Sequence, residues 1–200
     1  MKVSIILAHP SNGSFNHAIA ETVSETLKES GHAVTFHDLY QEKFPPLLPA
    51  EEISRKASLP PIIRMHCAEV STAEGIVIVH PNWWGQPPAV LKGWLDRILR
   101  PGIAYNFTEK DRGEGVPEGL LKARAAIVFT TSNTPFEREQ AVFGDPLETI
   151  WRKCIFELCG VGNFYRKNFG IIVTSSPGQR KKWLEETAEI TKQYFPPISS

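Results

Sequence analysis

The chain has 200 residues, 42% of them hydrophobic, and its 22 lysines and arginines are balanced by 22 aspartates and glutamates. A chain of this size can bury a full core in one domain spanning 1–200, and without a net field nothing steers it to nucleic acid or an anionic membrane, so its partners are expected to be small or uncharged overall. No apolar run approaches the ~20 residues of a membrane span, and the three cysteines, Cys67, Cys154 and Cys159, form no CxxC pair, which argues for reduced thiols in the cytoplasm and against zinc.

The apolar stretch in the opening MKVSIILAHP is too short for a signal peptide and is read as a first strand over 3–8. A helix follows over 16–29, where Ile19, Val23 and Leu27 recur at four-residue spacing and Gly31 supplies the stop. AVTFHDL (33–39) is the second strand, 40–61 a long connection, and GIVIVH (75–80) the third strand. The helix over 88–99 carries Val90, Leu91, Trp94, Leu95, Ile98 and Leu99, a stripe that belongs to the core. After a second long connection, 101–119, come a strand over 125–131, a helix over about 146–159 between Asp145-Pro146 and Gly160, a strand FGIIVTS over 169–175, and a last helix over about 178–194.

Most of these strand runs are continuous rather than alternating, as expected when helices cover both faces of a sheet. Strands alternating with helices imply a parallel α/β sheet with right-handed crossovers. Ligands in such sheets bind outside the carboxyl ends of the strands, so the loops beginning near His9, Pro81 and Thr131 are expected to meet at one edge. The long connections 40–61 and 101–119 are candidates for function as well. His32, His37, His66 and His80 have no metal-ligand spacing and are read as surface or strand-end histidines. Cys154 and Cys159 are expected to be buried, and Asp96 and Arg97 to form surface or interface ion pairs.

Each loop has two readings on its own residues. AHPSNGSFN (8–16) offers free amides, small side chains and hydroxyls at a helix start, an anion site that needs no lysine, or else Ser14 or Asn16 only caps the helix. It matches neither GxxxxGK[ST] nor GxGxxG. NWWGQPP (82–88) holds Trp83 and Trp84 on a turn stiffened by Pro87 and Pro88, which suits a flat heteroaromatic ligand or, alternatively, packing against other loops or a subunit interface. TTSNTP (130–135) could donate to carbonyls and ring nitrogens, or be a polar turn.

Together the segments AHP....SFN (8–16), P.WW...PA.LKGW.DR (81–97), PG.AY (101–105), TT (130–131) and FGDPLETIWRKCIFELCG (143–160) resemble the flavodoxin-like NAD(P)H:quinone oxidoreductases, which include ancillary flavoproteins of bacterial potassium-efflux systems. The resemblance implies a three-layer α/β/α sandwich with a five-stranded parallel sheet of order 2-1-3-4-5, binding FAD or, as the alternative, FMN. His9, Ser14, Phe15 and Asn16 would hold the phosphate-bearing tail, and Pro81, Asn82, Trp83, Trp84 and Gly85 would line the isoalloxazine edge near N5. Thr130, Thr131, Ser132 and Asn133 would cover the pyrimidine side, while Arg180 and Leu184 match positions on the adenosine half of FAD. Tyr105 matches a substrate-pocket tyrosine, and Phe107 stands where the family has a second one. A tyrosine and a histidine that follow the third loop in the family are missing, Phe143 standing in the histidine's place. The implied activity is ping-pong hydride transfer from NAD(P)H to a quinone in a homodimer. The alternative is a flavin-binding regulatory subunit of a transporter or redox partner.

Overall fold

The computed structural model describes residues 1–108 and 115–198; residues 109–114 of the second long connection lie outside it. Five strands form a parallel sheet: β1 (Lys2–Leu7), β2 (Ala33–Asp38), β3 (Gly75–Pro81), β6 (Ala125–Ser132) and β7 (Phe164–Gly170), in the order β2-β1-β3-β6-β7. With the short hairpin β4 (Tyr105–Asn106) and β5 (Glu118–Gly119) set aside, this is the expected order 2-1-3-4-5. Every residue of β3 and β6 is buried because both faces are covered. The pleat divides the strands between two cores: Val3, Ile5 and Leu7 face α1 (Phe15–Glu29) and α6 (Pro177–Tyr194), while Ile6 faces α2 (Pro61–Thr72) and α3 (Ala89–Ile98).

The helices follow local chemistry. Ser14 caps α1, Ile19, Val23 and Leu27 are buried along it, and Gly31 just beyond its end takes φ +82°. Trp94 is core, as its spacing requires. The helix expected over 146–159 starts as α5 (Pro146–Thr149) and continues as a π-helical stretch over Ile150–Glu157. An additional helix, α4 (Phe136–Phe143), was not expected, because its one buried residue is Glu139 and it carries no apolar stripe to announce it.

The edge strand differs from the expectation. Only the first two residues of the apolar run at 169–175 belong to the strand; β7 lies at Phe164–Gly170 and contains Arg166 and Lys167. Edge strands tolerate charge, and here the charges are paired, Arg166 with Asp145 and Glu148, Lys167 with Glu186. The apolar run that resembled a strand supplies Ile172 to a cavity wall instead.

Some side chains differ from their expected places. His37 and His80 stand at the ends of β2 and β3, as one of the two expectations had it, but they, His32 and His66 are all buried rather than at the surface. Arg97 is buried against Glu52 and leaves only Asp96 with a surface partner, Lys92. Cys154 is exposed, whereas Cys67 and Cys159 are buried and burial pushes their thiols up to about 11. The connection 40–61 is a strap over α3, so close that a Cβ on Gly93 would lie 2.1 Å from the Pro46 carbonyl oxygen.

His80 illustrates how the core tolerates imidazole. Its Nδ1 lies 2.8 Å from the Pro81 carbonyl and its Nε2 accepts the Trp151 indole N–H at 3.0 Å, which assigns the single proton to Nδ1. Burial lowers its pKa from 6.5 to about 4, with Arg166 adding to the effect and the Pro81 bond opposing it. The unfolded chain therefore binds a proton below 6.5 that the folded chain refuses until about 4, so stability is present above 6.5 and lost as pH falls through that window. Urea unfolding from pH 7 to pH 4 is expected to show roughly 3 kcal/mol more loss in the wild type than in His80→Gln. Parallel pH profiles for the two proteins would refute the assignment.

Candidate active site

The carboxyl ends of β1, β3 and β6 meet at one edge of the sheet, and the three loops that leave them converge there. Parallel register sets this: His80 lies opposite Thr130 and Pro81 opposite Thr131 in the β3–β6 pair. Side chains then tie the loops together. The buried Asn16 donates from Nδ2 to Thr131 Oγ1 at 2.9 Å, and the Asn82 amide donates to the Thr131 carbonyl at 2.7 Å. A cavity of about 420 Å³ opens between His9, Ser14, Phe15, Asn16, Pro81, Asn82, Trp83, Thr131, Ser132, Asn133, Ile172 and Arg180.

In the first loop, Gly13 takes φ +76° with open space around it, and Ser14 begins α1. The first turn leaves the amides of Phe15 and Asn16 without intrahelical acceptors. His9 Nδ1 accepts the Ser11 amide at 3.1 Å and lies 3.3 Å from the Ser11 carbonyl, and burial holds its pKa below 6.5, the carbonyl contact opposing this. The ring is thus neutral at pH 7 with its remaining proton on Nε2.

The second loop is a two-residue turn closed by paired backbone bonds, Trp83 N to Gln86 O at 3.1 Å and Gln86 N to Trp83 O at 3.0 Å. Its central residues, Trp84 and Gly85, both have positive φ, +59° and +69°. Glycine adopts this freely; a tryptophan there is strained by about 1–2 kcal/mol, and the indole is left fully exposed. Asn82 locks the turn: its Oδ1 accepts the Gly85 amide at 2.9 Å and its Nδ2 donates to Glu139 Oε1 at 3.1 Å. Because a carboxylate only accepts, Glu139 decides which way the Asn82 amide points. Glu139 was missed in the sequence, as nothing in FEREQAVF distinguishes one of its glutamates from another.

A second cavity of about 610 Å³ adjoins the first, sharing Asn82 and Thr134 and adding Trp84, Gly85, Gln86, Glu139, Phe143 and Pro146. Other expected site residues lie elsewhere. Thr130 is buried beneath the floor, donating to Asn168 Oδ1 at 2.9 Å. Leu184, half-buried, packs against the core beside α1 rather than on either cavity wall. Tyr105 lines a separate groove between α3 and the π-helical stretch and meets Phe107 edge-on at 5.7 Å. Arg180 does reach the first cavity, donating to Ser175 Oγ at 2.8 Å and to the Ile172 carbonyl at 3.1 Å, with its guanidinium 5.9 Å from the Phe15 ring.

Away from this edge, His37, Glu42 and His66 bring ligand-capable atoms within 4.8 Å of one another. Their proton pattern suits a hydrogen-bonded clamp better than a metal. His37 faces a carboxylate on each nitrogen, Glu42 at 2.8 Å and Glu69 at 2.6 Å, so both nitrogens must donate. Burial opposes the charge, but those two bonds outweigh it and raise the His37 pKa. Likewise burial would raise the Glu42 carboxyl, yet its histidine partners bring it down to about 2. His66 accepts the Trp94 indole N–H on Nδ1 at 3.0 Å, so its Nε2 carries the proton and offers a metal no lone pair.

A doubly wound parallel sheet of order 2-1-3-4-5, with a polar cleft at its carboxyl edge, defines the flavodoxin-like class. The chain belongs to the Flavodoxin_2 family of flavodoxin-like fold, whose model matches residues 1–190. It is similar to an uncharacterized NAD(P)H oxidoreductase of Haemophilus influenzae, 34% identical over 192 residues that cover 94% of this chain and 93% of that protein. It is also similar to NAD(P)H dehydrogenase [quinone] 1 of Rattus norvegicus, 29% identical, covering 98% of this chain and 80% of the relative. Among solved structures, an NAD(P)H:quinone oxidoreductase from Methanothermobacter marburgensis superposes with a TM-score of 0.82 at 25% identity, covering 100% of this chain and 99% of that one.

Proposed function

We propose that this chain is a cytoplasmic, single-domain NAD(P)H:quinone oxidoreductase that binds FAD noncovalently and works as a homodimer. The observation that carries the reading is the cleft of about 420 Å³ where the three loops converge, because its donor set fits such a group. Free amides and the Ser14 hydroxyl at the start of α1 suit a phosphate-bearing tail. The Asn82–Gly85 turn, stiffened by Glu139, gives a rigid edge for a flat ring, and Thr131, Ser132 and Asn133 offer polar groups opposite. Arg180 at the rim favours the longer dinucleotide.

A bound flavin would supply the two-electron centre that takes hydride from NAD(P)H and passes it to the quinone. The chain's own residues position and exclude. His9 and the buried Asn16 line the tail end, while Trp84 and Phe143 give the adjoining cavity an apolar wall for an aromatic substrate. Both substrates are expected to use that one space, so double-reciprocal lines should be parallel; intersecting lines would count against shared occupancy. Exposed Trp84 and Phe143, together with the groove of Leu95, Leu99 and Ile155 beside Tyr105, are surfaces that dimerisation would cover.

The visible spectrum of the purified protein, with mass identification of the released chromophore, is the direct test. FAD is expected; FMN would correct only the cofactor, and a colourless chain that binds neither flavin would overturn the reading. The replacement of the family histidine by Phe143 favours a second reading, a flavin-binding regulatory subunit. Steady-state turnover with NADPH and a benzoquinone separates them, since the regulator would be reduced without turning over.

A further inference from the structure

We propose that the phosphate-bearing end of the cofactor binds with uptake of one proton at His17, through the hydrogen-bonded chain Ser14–His17–Asp38. The inference rests on the flavin reading above, and it follows from where each proton must sit. Asp38, at the end of β2, accepts the amides of Tyr40 and Gln41 on Oδ1 at 3.0 and 3.1 Å. Its Oδ2 lies 3.0 Å from His17 Nε2, and both side chains are buried. As the carboxylate only accepts, Nε2 carries a proton. A neutral His17 therefore has a bare Nδ1, which lies 2.9 Å from Ser14 Oγ and takes the hydroxyl proton. Ser14 Oγ also accepts the His17 amide at 3.4 Å.

In that state the Ser14 hydroxyl has no proton for the cleft it lines, and turns a lone pair toward any anion placed there. One proton taken from water onto Nδ1 reverses the bond. Nδ1–H then donates to Ser14 Oγ, and the hydroxyl proton swings free to meet a phosphate oxygen. The imidazolium formed lies between the Asp38 carboxylate and the bound anion. The titratable groups facing His17 are Asp38 and, from the β1–α1 loop, His9, whose ring centroid is 6.2 Å away and edge-on. His9 stays out of the exchange because burial disfavours its cation and its Nδ1 already accepts from Ser11.

The test is calorimetric titration of the full chain, stripped of flavin, at about pH 8, in two buffers of different ionisation enthalpy. FAD is the probe because its diphosphate is fully ionised and takes up no proton itself; riboflavin, which has no phosphate, is the comparison. Close to one proton per FAD and none per riboflavin is expected, with the FAD Kd rising about tenfold per pH unit on the alkaline side. His17→Gln is expected to flatten that slope and bring the uptake near zero, and Ser14→Ala gives the same result if the first variant does not fold. FAD binding to the wild type without proton uptake, or equal uptake with riboflavin, would overturn the proposal and leave the flavin reading standing. Binding of neither flavin at any pH would remove the flavin reading itself, and this inference with it.

Discussion

Arg97→Met is expected to destabilise the protein by about 3–5 kcal/mol, although the substitution replaces a charged group with an apolar one of similar length. Arg97 is 3% exposed and donates from Nε to Glu52 Oε2 at 2.9 Å, from Nη2 to the other carboxylate oxygen, and from Nη1 to the Pro45 carbonyl at 2.5 Å. Arg100 adds bonds to the carbonyls of Glu52 at 2.6 Å and Ser54 at 2.9 Å. Removing the guanidinium leaves the Glu52 carboxylate, itself 4% exposed, without its hydrogen-bonded partner, and removes one of the two arginines that pin the strap to α3. The double variant Glu52→Leu/Arg97→Met should recover much of the loss, because an apolar pair avoids the desolvation that a lone carboxylate suffers. Urea denaturation of the wild type, of Arg97→Met and Glu52→Leu alone, and of the double variant measures the coupling. A single-variant loss below about 1 kcal/mol would mean that the pair behaves as a solvated surface bridge.

The second large effect is expected in the NWWG turn. Gly85→Val places a branched side chain at φ +69°, where its Cβ would lie 2.8 Å from Pro146 Cγ. The left-handed backbone costs about 1–2 kcal/mol and the overlap about 1–3 more, unless the turn reorganises. Reorganisation breaks the Asn82–Gly85 bond and misplaces the ring edge, so flavin affinity should fall at least about tenfold. Trp84→Gly is the informative contrast. It relaxes a strained φ of +59°, so stability should hold or rise by up to about 1 kcal/mol, while the loss of the indole weakens the substrate cavity. Thermal melts and flavin titrations on both variants distinguish strain from packing. A Trp84→Gly protein that melts markedly lower would show that the indole stabilises the turn.

Much of this was legible beforehand, and for identifiable reasons. Continuous apolar runs located β1, β3 and β6 because helices cover both faces of those strands, and four-residue spacing located α1 and α3. The edge strand was misread because only one side of it pairs with the sheet, and charges such as Arg166 can sit there when acids from α5 and its N-cap reach them. α4 escaped for lack of a stripe, and Glu139 with it. The burial of the histidines was not legible because their partners are remote in sequence: Trp94 for His66, Trp151 for His80, Glu69 for His37.

The sequence by itself determined a parallel α/β sheet, the three loops at its carboxyl edge, and the residue types available to a ligand there, since periodicity and turn chemistry act over a few residues, while the strand order followed from the family resemblance. Only the tertiary structure decided which side chains finally face the cleft. It sent Thr130 beneath the floor and Leu184 against the core, and it brought Ile172 and Arg180 to the wall. It also joined Ser14, His17 and Asp38 into one chain and set Glu139 against Asn82. The physical reason is that a buried polar group must find a partner wherever the fold offers one, and such partners are set by sheet register and helix packing rather than by spacing along the chain.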